Sequence, residues 1–273
     1  KDVSRIVQNR CQLCHRPGEI GAMSLLTYDD AKSWAETIHE VVLEQRMPPW
    51  HPDPRFGKFS NDRRLTARET ETLLAWVEQG CPKGDDKDLP PPVEFVKGWT
   101  IGKPDVVFEM PQEFSVPATG VVDYKHFVVD PGFTEDKWMQ AAETRPGNRS
   151  VVHHIIVYIQ APGKRLYELD GTASTLVGWA PGDMPAIFTP GTAKRIPAGS
   201  KFVFEVHYTP NGTAQTDRSS VGIIFAKEPP GQIAETNILA DYMFRIPPGA
   251  AKHEGKVHYT FKDDAKILGF MPH

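Results

Sequence analysis

Val151-Val152-His153-His154-Ile155-Ile156-Val157-Tyr158 is a β-branched and aromatic run broken by two adjacent histidines, and it reads as a strand. Burying two imidazoles in such a run costs desolvation unless something pairs with them. Neighbours on a regular strand point to opposite faces. Both can therefore hold one ion only near a bulge or a strand end; otherwise one is a core or surface residue. A third imidazole, His207, sits in a similar run, Phe202-Val203-Phe204-Glu205-Val206-His207-Tyr208. Three imidazoles without a carboxylate or thiolate suit copper or zinc. Spacing alone leaves open whether they share a metal.

Comparable short runs occupy residues 105–110, 124–130, 220–226 and 256–261, with Pro, Gly and Asn between them. That pattern argues a sandwich of antiparallel strands rather than βαβ units. Before residue 88 helical signals dominate. Residues 2–10 suit a short helix. Thr27 to about Arg46 reads as a second, with Trp34, Ile38, Val41, Val42 and Leu43 as its apolar stripe. Thr66-Ala67-Arg68-Glu69 is a capping-box pattern that opens a third helix, and Gly80 is its stop. The expected fold class is multidomain α plus β: an all-α domain over 1–88, a Pro-rich linker over 89–104, and a β-sandwich from 105 to 235.

The helical part carries Cys11-Gln12-Leu13-Cys14-His15. Two thiols three residues apart can add to the two vinyl groups on one porphyrin edge, which leaves the adjacent histidine beneath the iron. The motif therefore predicts a covalent c-type haem on Cys11 and Cys14, with His15 as proximal ligand. A chance CxxCH or a redox CxxC is the bland alternative. Met23, His39, Met47 and His51 are candidates for the other axial ligand. Met47 is favoured, because the prolines of Arg46-Met47-Pro48-Pro49-Trp50 force an extended chain that can lay a thioether over the ring. His51 is the runner-up. Trp34, Trp50 and Trp76 read as pocket walls or core.

The 273 residues carry a net charge of −4, which gives no reason to expect a nucleic acid partner or an anionic membrane surface. No apolar run is long enough for a transmembrane helix. Only Cys81 remains once the CxxCH is set aside, and it reads as a partly buried spare thiol. The start at Lys1 is read as a processed chain. Haem attachment normally occurs outside the energy-transducing membrane, so a periplasmic or extracellular location is expected.

The first ninety or so residues resemble small cytochrome c domains fused to other modules in bacterial secreted proteins, notably planctomycete ones; CQLCH at 11–15 and RMPPW at 46–50 carry the likeness. From about residue 105 the chain resembles the copper type II, ascorbate-dependent monooxygenases, the family of peptidylglycine α-hydroxylating monooxygenase and dopamine β-hydroxylase. VVHHIIVY and FEVHYTPNG carry that likeness. It implies two jelly-roll-like sandwiches, each with one copper. His153, His154 and His207 would hold the electron-transfer copper. Gly269-Phe270-Met271-Pro272-His273 looks like the run into the His-x-His of the oxygen-activating copper, with His273 as its first ligand. On this reading residues 236–273 begin a second, incomplete sandwich, and the chain is a truncated piece of a longer protein. The resemblance implies haem c and copper as cofactors. It also implies a small-molecule or protein electron donor, and a small-molecule or peptide substrate for C–H hydroxylation. The family's usual disulfides are missing. His126 reads as structural or exposed, His253 and His258 receive no role, and Glu205 either orients a ligand imidazole or is a rim charge.

Overall fold

A computed structural model describes residues 1–164, 174–241 and 243–271. Among these residues the α-helices all precede residue 80: α1 (Asp2–Arg10), α2 (Tyr28–Ser33), α3 (Ala35–Leu43) and α4 (Ala67–Glu78). Capping boxes start two of them. Thr27 accepts from the Asp30 amide at the head of α2, and Thr66 from the Glu69 amide at the head of α4, with the acidic side chains reaching back. α4 stops where Gly80 takes φ 79°, a left-handed conformation that costs glycine little.

The single helix expected from Thr27 to Arg46 is two. Trp34 has φ −109° and ψ 12°, which ends α2 and starts α3. Trp34 and Leu43 of the expected stripe face solvent, whereas its Ile38 and Val42 bury together with Ala31 and Ala35. They pack with Ile6 and Val7 of α1, and with Leu73 and Trp76 of α4. Cys81 is buried in the same cluster, where the Tyr28 hydroxyl donates to its carbonyl at 2.8 Å.

From residue 106 onward the regular structure is β. The strands are β1 (Val106–Glu109), β2 (Phe114–Val116), β3 (Lys125–Val129), β4 (Lys137–Arg145), β5 (Val152–Gln160) and β6 (Ser174–Trp179). They continue with β7 (Ala186–Ile187), β8 (Thr192–Ile196), β9 (Lys201–Tyr208), β10 (Gln215–Asp217), β11 (Ser220–Phe225) and β12 (Gln232–Ile233). One sheet runs β1-β11-β4-β8-β12 with β7 beside β4, a second runs β3-β9-β5-β6, and β10 pairs with β2. The pairs are antiparallel except β12 with β8, a two-residue parallel contact that departs from the all-antiparallel expectation.

One apolar core joins the two larger sheets. Met139, Ala142, Ile196, Val221 and Ile223 come from the first, and Ile155, Val157, Phe202, Phe204, Val206 and Tyr208 from the second. Each fully buried large side chain of this kind contributes about 1.5–3 kcal/mol. The expected strand at residues 256–261 is absent. No neighbouring strand reaches it, and an unpaired run in water leaves its ladder groups to the solvent.

Candidate functional site

Strand alternation decides where the histidines of β5 point. Val152 and Ile155 both face the core, although they are three positions apart and a regular strand would turn them to opposite sides. The ladder shows the cause. Val152 pairs with Tyr208 and His154 with His207, a register shift that leaves His153 as the extra residue of a bulge. With that slip, both imidazoles reach the side of the sheet away from the core. β9 places His207 on the same side, because its neighbours Val206 and Tyr208 point inward.

Three imidazoles meet there. Their ring centroids lie 5.3 Å apart for His153 and His154, 5.0 Å for His153 and His207, and 5.1 Å for His154 and His207. One nitrogen from each falls within 4.8 Å of the others, and Nδ1 of His153 is 3.0 Å from Nδ1 of His154. Metal–imidazole bonds near 2.0–2.1 Å place ligand nitrogens of one ion at most about 4 Å apart, so a small ring rotation closes the set. His154 is buried, His207 half-buried and His153 exposed, which gives one side open to a small ion or partner. Neutral imidazole donors with no carboxylate or thiolate in the cluster fit copper or zinc.

Tyr124, not singled out in the sequence, stacks on His207 at 4.8 Å and 20°. The signal that locates it is register: Lys125 pairs with Val206, so the preceding residue falls beside His207. His126 is engaged, not merely exposed: its Nε2 lies 2.8 Å from Glu205 Oε2. Glu205 is buried and accepts from the Tyr158 hydroxyl through Oε1. Burial, then the Glu205 charge, pushes the Tyr158 phenol above its ordinary value. His253 and His258 lie in the 243–271 segment, which forms neither helix nor strand. His273 lies outside the described residues.

The CxxCH segment continues α1 as a tight turn. The Cys11 amide donates to Val7, and the Cys14 and His15 amides donate to the Cys11 carbonyl. Both thiols are free. Burial pushes Cys11 up to about 11, and the same cause raises Cys14. A redox CxxC needs the opposite, a lowered thiol. His15 is lowered by burial, opposed by the Met23 main chain. The loop folds back tightly: the Gly21 amide donates to the Cys14 carbonyl at 3.0 Å, and the Leu25 amide to the His15 carbonyl at 3.0 Å.

In the helical region several large apolar groups face solvent, among them Leu13, Trp34, Met47, Phe56 and Phe59. The buried Trp50 Nε1 has no hydrogen-bond partner. Exposed apolar surface and an orphaned donor in the region that carries the two free thiols fit a large planar ligand with polar edges. Among the axial candidates, Met23 packs on the helical core and His39 lies 3.4 Å from Glu78. Met47 and His51 are exposed beyond α3, and the Met47 amide donates to Val41 at 3.1 Å. Trp76 belongs to the core, with Nε1 donating to the Pro82 carbonyl at 3.3 Å.

No family model matches this chain, and no curated protein matches it. No described helix is long and apolar enough to cross a membrane.

Proposed function

We propose that this chain is the electron-transfer part of an exported, copper-dependent monooxygenase-like protein. Cys11 and Cys14 would bind haem c, His15 and Met47 would be its axial ligands, and His153, His154 and His207 would hold one copper. The convergence of three imidazoles at the β5 bulge carries the reading. A haem held at the CxxCH supplies one-electron transfer at a potential set by its axial ligands, and a three-imidazole copper accepts single electrons.

The chain's own residues have definable parts in this. His154 is fixed by burial, Tyr124 restricts the His207 ring by stacking, and the exposed His153 leaves the ion approachable. The resemblance places oxygen chemistry at a second copper with His273, so for the described residues the proposal ends at copper reduction. Its donor would be a small molecule or a redox protein, and jelly-roll topology and the helical cytochrome fold belong to the same proposal.

Metal analysis after copper loading tests it. The parent should carry haem and about one copper per chain, and His207→Ala should keep the haem and lose the copper. Equal copper in both proteins overturns the copper site, and a chain without haem after expression with haem-attachment machinery overturns the cytochrome.

A further inference from the structure

The helical and β regions touch along a seam of charged and aromatic groups. Glu19, in the loop after the CxxCH, holds two guanidinium groups. Arg16 lies 2.6 Å from Oε1, and Arg149 lies 3.5 Å from Oε2. The Glu19 side chain is only 13% exposed, and a pair withdrawn this far from water is costly to break on one side. Arg149 comes from the turn before β5 and lies over the Trp179 indole at 5.2 Å.

A second contact lies beside it. The Arg63 guanidinium occupies the space next to Gly182, so any Cβ there would collide with it. Glu19 lies in the short loop that the Gly21 amide closes onto the Cys14 carbonyl at 3.0 Å, so the seam engages the loop of an attachment cysteine. On the β side, Trp179 is buried in the core and pairs with Ile155 across the β5–β6 ladder. Ile155 adjoins His154. One aromatic side chain and one main-chain pair thus separate the CxxCH loop's docking point from the histidine cluster.

We propose that Arg149 is a positioning residue that docks the Cys14–Glu19 loop on the end of β6, making Trp179 the crossing between the CxxCH loop and the histidine site. The proposal rests on the function proposed above. The step is one electron: ferrous iron becomes ferric as Cu(II) becomes Cu(I), with no proton or bond exchanged. Tunnelling falls steeply with distance, so a docked loop outperforms one merely tethered, which visits the site only at its effective concentration.

The test uses the full chain with haem attached and copper loaded, and compares the parent with Arg149→Glu, Arg149→Lys and Trp179→Phe. Hydrogen exchange over residues 16–21 and 178–183 reads docking without reference to either metal. Oxidation of photoreduced haem by Cu(II) reads transfer. Arg149→Glu should speed exchange on both sides of the seam and slow transfer by on the order of tenfold or more. Arg149→Lys, which keeps the charge, should stay near the parent. Trp179→Phe should keep parent-like exchange and still slow transfer. Parent-like exchange in Arg149→Glu overturns the docking role, and parent-like transfer in Trp179→Phe overturns the crossing. Absence of haem or copper from the parent sinks the functional reading instead, while the exchange arm still decides the docking.

Discussion

His154 sits directly opposite His207 in the ladder between β5 and β9, whereas two residues earlier Val152 sits opposite Tyr208. The residue between, His153, has no counterpart. The bulge gives up one regular ladder position and brings a third imidazole to the same side, which is how bulges serve at sites that must re-aim a side chain.

Deleting His153 therefore regularises the strand: Val152 inward, His154 outward, Ile155 inward. The metal-free protein should stay within about 1 kcal/mol of the parent, while copper affinity falls sharply with one ligand gone. Chemical denaturation and copper titration check the two parts. A large loss of stability would mean that the bulge serves the fold, not the ion.

Gly21 approaches the CxxCH turn so closely that a Cβ would lie 2.5 Å from the Cys14 carbonyl oxygen and 2.8 Å from His15 Nδ1. Backbone cannot yield cheaply at such distances. Gly21→Ala should lower the yield of covalent haem, read as haem absorbance per chain, with the β region's unfolding unchanged.

Asp217 is a buried carboxylate, 1% exposed. It accepts from the Tyr208 hydroxyl at 2.9 Å, the Ser219 hydroxyl at 2.8 Å and the Asn148 amide at 2.9 Å. It ties the turn bearing Arg149 to the residue after His207. Asp217→Ala strands two buried hydroxyls and the half-buried Asn148 amide and should cost about 3 kcal/mol or more. Denaturant unfolding measures this, and copper affinity should fall with it.

Lys194 is 4% exposed, and burial lowers it from 10.5 to about 8. Its ammonium reaches the Thr175 carbonyl and the Thr236 hydroxyl. Below about pH 8 it is charged in both states and the burial cost is full. Between about 8 and 10.5 the folded state sheds a proton that the unfolded state keeps, so this residue's contribution to stability rises with pH. The gain should reach up to about 3 kcal/mol across that window, measured as the difference between parent and Lys194→Met in denaturation at several pH values.

Much of the architecture was legible because local chemistry and tertiary structure agreed. The capping-box pattern at Thr66 marked a helix start and Thr27 began another as expected, and β5 and β9 announced themselves by β-branched and aromatic residues. The sequence failed where pairing overrides propensity. Lys137-Trp138-Met139-Gln140-Ala141-Ala142-Glu143 has the composition of a helix, yet it is β4, held between β11 and β8. The break at Trp34 lacks a Pro or Gly to signal it. The sequence raised the three histidines and the need for a bulge, but their meeting depends on a one-residue slip that only the ladder with β9 defines. The seam from Glu19 through Arg149 to Trp179 joins residues with no sequence pattern in common.

Paramagnetic resonance of the haem-bearing, copper-loaded chain tests the central claim most directly. The account predicts a type 2 Cu(II) signal with imidazole nitrogen couplings, absent from His207→Ala, that disappears as photoreduced haem returns to the ferric state. No such signal, or one that persists while the haem stays ferrous, would contradict it.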